Sequence, residues 1–104
     1  MSDQVDRLLE LVDGATARKM FGGVGIYAED VMFALESRAG DLYLKVDDES
    51  RAEFEQLGAG PFSPSGRQTM RSFYEVPDEV ASDDAELAGW ARRAVEAAQR
   101  ARTT

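Results

Sequence analysis

Residues 17–46 read ARKMFGGVGIYAEDVMFALESRAGDLYLKV, and the spacing of their apolar side chains decides the fold. Val24 and Ile26, then Val31, Phe33 and Leu35, then Leu42, Leu44 and Val46 recur at every second position, as in strands that turn alternate residues toward a core. Ala28 to Asp30 is short enough for a hairpin, and Arg38 to Asp41 offers Gly40 for a position of positive φ. The stretch therefore predicts an antiparallel meander.

The period changes on both sides of it. Val5, Leu8, Leu9 and Val12 stand at i, i+3, i+4 and i+7, one buried stripe of a helix with Ser2 as cap and Gly14 as stop. After the meander, Ser50 and Glu53 have capping-box spacing, Phe54 and Leu57 point one way, and Gly58 closes a short middle helix. Gly58 to Arg67, GAGPFSPSGR, reads as a loop. Met70, Ser72, Tyr74 and Val76 then alternate with Thr69, Arg71, Phe73 and Glu75. This strand is apolar on both sides, so it is central or covered, and Pro77 stops its ladder. Leu87, Trp90, Ala91, Ala94, Val95 and Ala98 form a second helical stripe opened by Asp83 and Glu86, with Gly89 opposite it. The expected fold is α+β: an antiparallel sheet of four to five strands with an N-terminal helix, a short middle helix and a C-terminal helix packed on it, in a single domain spanning residues 1–104.

Composition excludes several function classes. The chain has no cysteine and no histidine, which removes thiolate catalysis, disulfides, most zinc sites and any Ser-His or Cys-His nucleophile. Carboxylate or lysine chemistry is left, for example Glu75 with Lys45 or Arg71 in a common pocket. The net charge of −8 repels a phosphate backbone, so direct nucleic-acid binding is disfavoured unless the bases cluster on one face. The acids are concentrated between Glu75 and Glu86, and arginines between Leu87 and Thr104, as helix-end electrostatics favours. MSDQVDRLLE has acids where a signal peptide carries bases, and no apolar run has membrane-spanning length. A cytoplasmic protein with no membrane association is the expectation.

Two clusters invite a functional reading. FGGVGIY, Phe21 to Tyr27, is followed by alternation rather than by a helix, so it lacks the helix N-terminus that a phosphate cradle requires. Gly22, Gly23 and Gly25 instead predict a bulge or tight bend at the entry to the sheet, flanked by Arg18 and Lys19. Arg18, Lys19, Lys45, Arg67 and Arg71 would form a basic patch if their segments are neighbours, although basic residues also simply solubilise strand edges. Phe21, Tyr27, Phe62 and Phe73 are candidates for an aromatic recognition surface, with core membership as the default. Asp47, Asp48 and Glu49 precede a helix, where acids are expected, and no metal site or cofactor is assigned to them.

RKMFGGVGIY, MFALESRAGDLYLKVD, PFS, FYEVPDEV and LAGWARRAV, taken in order over roughly Asp3 to Gln99, resemble the N-terminal domain of the TfoX/Sxy family. The resemblance implies an α+β domain with an antiparallel sheet and flanking helices. It also implies an association with bacterial regulation of natural competence, in which longer members with a second, C-terminal helical domain act as transcriptional co-regulators. It brings no catalytic residues. It marks Arg18, Lys19, Met20, Phe21, Gly22, Gly23, Gly25 and Tyr27 as characteristic without saying what they bind.

The expected function is a non-enzymatic protein-interaction module, acting in transcription or competence through an unidentified protein partner. Its candidate contacts are Arg18, Lys19, Phe21, Gly22, Gly23, Gly25, Tyr27, Lys45, Arg67 and Arg71. The alternative from another class is a small acidic chaperone-like homodimer that holds peptide segments.

Overall fold

A computed structural model of the chain describes residues 2–20, 23–63 and 70–103. Helix α1 spans Asp3–Leu11 and leads into strands β1 (Thr16–Met20), β2 (Gly23–Ala28), β3 (Val31–Glu36) and β4 (Leu42–Lys45). Helix α2 (Asp48–Gln56), strands β5 (Pro61–Phe62) and β6 (Met70–Glu75), a short helix α3 (Asp78–Ala81) and the long helix α4 (Asp84–Thr103) complete it. The strands form one six-stranded antiparallel sheet in the order β1-β2-β3-β4-β6-β5.

The α+β architecture agrees with the sequence, and the sheet has more strands than the four to five expected. Thr16–Met20 is a strand in its own right, paired residue for residue with β2 from Thr16↔Tyr27 to Met20↔Gly23. Its charged sequence carries no apolar alternation because four of its five residues are exposed at the sheet margin. Pro61–Phe62, expected within a loop, pairs with β6, while residues 64–67 of that loop, and Thr69 of the strand expected after it, lie outside the described residues. β6 runs between β4 and β5, as its two apolar faces predict.

All four helices turn their buried side chains to the same face of the sheet. Val5 and Leu8 from α1, Phe54 from α2, Val80 from α3, and Leu87, Ala91, Ala94, Val95 and Ala98 from α4 meet Ile26, Ala34, Leu44, Val46, Tyr74 and Val76 in one core. The alanines let α4 lie close against β3 and β4. Phe54 stacks on Trp90 at 4.3 Å between ring centroids, and the Tyr74 hydroxyl donates to Glu55 Oε2 at 2.6 Å.

Local signals account for the helix ends, with one correction. Ser2 caps α1 by accepting from Val5 N–H, and Asp83 accepts from Ala85 and Glu86 N–H at the start of α4. The capping box of α2 is not Ser50 with Glu53 but Asp47 with Ser50: Asp47 Oδ1 accepts from Ser50 N–H at 2.8 Å, and Ser50 Oγ accepts from Asp47 N–H at 3.0 Å. Asp47 captures the role because its own carboxylate reaches the N3 amide, so the helix begins before Ser50. Leu57, expected to share the buried side of Phe54, is the C-cap and is exposed, since the helix has already ended beneath it. Gly14, Gly40 and Gly58 each adopt positive φ in the turn that follows an element.

Candidate interaction face

The sheet has a second face, and antiparallel partners share it. Arg18, Gly25, Leu35, Tyr43 and Glu75 are aligned by register across β1, β2, β3, β4 and β6. Met20 and Gly23 flank that row on one side; Tyr27, Met32, Lys45 and Phe73 flank it on the other. An irregularity where Ile26↔Ala34 gives way to Tyr27↔Met32 adds one residue, Phe33, to β3. The bulge turns both Phe33 and Ala34 to the helical core. Among the described residues, no helix packs a core side chain on this second face.

Gly23 and Gly25 do not form the bend predicted for them. They lie inside β2 and neither has positive φ; Gly22 and Phe21 lie outside the described residues. What Gly25 provides is depth. A β-carbon there stands 2.5 Å from Met20 Sδ, 3.0 Å from Met32 Sδ and 3.2 Å from Tyr27 Cε1. Because glycine has no β-carbon, these three side chains close over the strand, and Gly25 is buried beneath them. Arg18 completes the group, its guanidinium carbon 5.3 Å from the centre of the Tyr27 ring. Met20 nonetheless remains 43% exposed, an exposure that Leu57 shares among the described large apolar side chains.

The far side of the face repeats the theme with different residues. Lys45 Nζ lies 5.2 Å above the Phe73 ring, and Phe73 is only 3% exposed. Burial pushes the Lys45 ammonium below its ordinary value. Tyr43 meets Phe62 at 4.7 Å between ring centroids. Burial, then Glu75 and Asp41, push the Tyr43 phenol up. Burial also raises the Glu75 carboxyl, helped by Asp41 and Asp78.

The predicted basic patch is thus divided rather than gathered. Arg18 and Lys45 share the face but stand three strands apart, about 14 Å at ordinary strand spacing. Lys19, one residue from Arg18, belongs to the opposite side of the edge strand. Arg71 is exposed two residues from Phe73 in β6, and Arg67 lies outside the described residues. Of the aromatic candidates, Tyr27 and Phe62 are half-buried on this face while Phe73 is buried under Lys45. Met32 is not singled out in the sequence-based reading, and Met20 stands in it as a characteristic residue of the motif but not as a candidate contact. Their signal was the glycine two strand positions from Tyr27, which makes room for them.

Elsewhere, among the described residues, ion pairs hold four arginines. Arg7 joins Asp84, Arg51 joins Asp48, Arg93 joins Glu53 and Arg100 joins Asp47. Arg7 also donates to the Ala81 carbonyl at 2.6 Å. These contacts tie the helices to one another and to the α2 cap. Of the arginines concentrated after Leu87, Arg93 and Arg100 are engaged in such pairs. Glu75 lines a cleft of about 360 Å³ with Asp78 and Glu79, and neither Lys45 nor Arg71 lines it. The pairing of Glu75 with a base in a shared pocket is therefore not formed there. Asp47, Asp48 and Glu49 serve the α2 N-terminus, and among the described residues no helix is long and apolar enough to cross a membrane.

Comparison with known proteins adds an independent finding. The family model described as the TfoX N-terminal domain matches residues 7–98. The chain is also 35% identical over 81 residues to the DNA transformation protein TfoX1 of Aliivibrio fischeri. That match covers 76% of this chain and 38% of the relative, so the chain spans about two-fifths of the curated relative's length.

Proposed function

Because the chain belongs to the TfoX N-terminal domain family, we propose that it is an interaction module in DNA transformation, docking a protein partner through the helix-free sheet face and its β1 margin. The observation that carries this reading is Met20, 43% exposed above a buried Gly25. Glycine at that position serves no turn. It serves to seat Met20, Met32 and Tyr27 beside Arg18 on a surface that no described helix covers. Methionine adapts its shape to a partner, and an arginine stacked on tyrosine supplies charge with little further ordering.

A protein partner fits better than a nucleic acid. The face carries Glu75 and Asp41 along with Arg18 and Lys45, and the whole chain is acid-rich at net −8. The missing thiol and imidazole chemistry and the divided bases support a binding role over catalysis. A partner that controls transcription would place the chain within competence regulation in the bacterial cytoplasm.

Affinity capture from host lysate tests the reading, comparing the wild type with a Met20→Ser, Tyr27→Ser double variant of unchanged circular dichroism. Loss of a captured protein in the variant is the expected result, together with a fall in transformation frequency when the variant replaces the wild-type chain. Equal capture and unchanged transformation would reject the face as the docking site.

A further inference from the structure

Resting on the reading of the chain as an interaction module, we propose that β1 is an acceptor edge. It takes up an extended segment of a protein partner as an added antiparallel strand, and that segment carries two consecutive carboxylates next to an apolar residue.

The sheet's two margins are built differently. β5 is a two-residue strand beginning with Pro61, and a short strand with proline is a poor template for further pairing. β1 is five residues long, has no proline, keeps an unbroken register with β2, and exposes Thr16, Arg18, Lys19 and Met20. A strand of that kind presents unpaired N–H and C=O groups along its outer side. Its guard is the charge of the exposed Arg18 and Lys19.

That guard is selective. Two copies of β1 paired antiparallel about their centre set Arg18 against its own counterpart, with Lys19 of each copy close by; like charges directly opposite destabilise such a pair. A second copy is therefore disfavoured, as is any basic strand. An acidic strand is attracted instead. Among the described residues Arg18 and Lys19 are in no ion pair, whereas Arg7, Arg51, Arg93 and Arg100 are each engaged with a carboxylate of the chain. On a chain of net charge −8, this edge is a place where an incoming carboxylate finds attraction rather than repulsion.

Strand alternation sets the pattern that the edge reads. Arg18 belongs to the helix-free side of β1 and Lys19 to the other. Consecutive residues of a paired strand also alternate sides, so two adjacent carboxylates each meet one cation. The next position faces Met20, whose exposed side chain accepts an apolar group. Main-chain hydrogen bonds supply affinity in this mode of recognition, and the side chains supply choice.

The test uses the full-length chain, isotopically labelled, and two synthetic probes: the capped peptide Thr-Val-Glu-Glu-Val-Thr and its counterpart with both Glu replaced by Lys. Amide hydrogen exchange is read by NMR. The acidic peptide is expected to bind saturably, to lose affinity as salt is raised, and to slow exchange within residues 16–20 by about tenfold or more. An Arg18→Glu, Lys19→Glu variant is expected to reverse the preference and bind the Lys peptide, a gain that misfolding cannot mimic. Failure of both peptides to slow β1 amides overturns the proposal, as does protection confined to other strands. Concentration-dependent protection of β1 without peptide also overturns it, in favour of a second copy. If host-partner capture persists in the charge-reversed variant while β1 stays unprotected, the edge is refuted and the module reading stands; if no partner is captured at all, the module reading fails on its own evidence.

Discussion

Gly23 lies against the backbone of Glu36, so closely that a β-carbon added to it would stand 2.5 Å from the Glu36 carbonyl oxygen. That oxygen belongs to the neighbouring strand and cannot rotate aside. Gly23→Ala is therefore expected to lower stability by about 1–3 kcal/mol through forced separation of β2 and β3, read as a fall in the urea midpoint. Gly25→Ala differs in kind. Its nearest neighbours are the sulfur atoms of Met20 and Met32, ends of flexible side chains that swing away. The expected outcome is a smaller loss of stability than for Gly23→Ala with a larger loss of partner capture, since the displaced methionines no longer present the same surface.

The β2–β3 hairpin turns through Glu29 at φ 52° and Asp30 at φ 67°. Positive φ at both central positions is the tight turn that suits a twisted hairpin, and asparagine followed by glycine fills it best. Neither native residue has that preference to the same degree, and non-glycine residues held in this region cost on the order of 1–3 kcal/mol. Replacing Glu29→Asn and Asp30→Gly together is expected to raise stability by about 1 kcal/mol with an unchanged denaturant slope. A midpoint that does not move would mean that Glu29 or Asp30 contributes a compensating interaction.

These two hairpin features show where the sequence was readable. Period-two runs such as Val31, Phe33 and Leu35 revealed strands because one side of each is buried, and the stripe from Leu87 to Ala98 revealed α4 for the same reason. β1 escaped that reading. Thr16–Met20 is held by main-chain pairing at an exposed margin, where burial imposes no alternation on the side chains. The spacing of FGGVGIY suggests a bulge or bend, whereas the constraint on Gly23 and Gly25 is close approach, a tertiary fact set by Glu36, Met20 and Met32. Sequence spacing likewise offered Ser50 and Glu53 as a capping box, and only the backbone path shows Asp47 one turn earlier holding Ser50 N–H. The division of Arg18 from Lys45 follows from strand order, which periodicity does not encode.

Gly89 sits within α4, and among the described residues no side chain beyond its chain neighbours and no other element comes within 4 Å of where its β-carbon would be. Glycine inside a helix costs about 1 kcal/mol relative to alanine, and here nothing in the fold requires it. Gly89→Ala is expected to raise the thermal midpoint, with a gain of about 0.5–1 kcal/mol. Sedimentation of the same variant checks the alternative use of a glycine, close packing by another chain. The expected result is an unchanged oligomeric state; a shift toward smaller species would assign Gly89 to an interface.

Asp47 and Glu75 should respond to pH with opposite signs. Hydrogen bonding from Ser50 N–H holds the Asp47 carboxyl below its ordinary value, aided by the Ser50 hydroxyl and Arg100. A depressed folded-state value means that Asp47 contributes stability at neutral pH, lost as the pH falls below roughly 4 and the carboxylate takes up a proton. Burial, with Asp41 and Asp78, instead raises Glu75. A raised value means that its favourable contribution is complete only below the pH at which an unfolded glutamate titrates, and is lost as the pH rises through the folded-state value. Urea midpoints measured from pH 3 to pH 7 separate the two. Asp47→Asn is expected to lower stability at pH 7 and to flatten the acid limb. Glu75→Gln is expected to raise stability at pH 7 and to match the wild type near pH 3, and a loss at pH 7 would show that the Glu75 carboxylate is held by a favourable contact rather than crowded by Asp41 and Asp78.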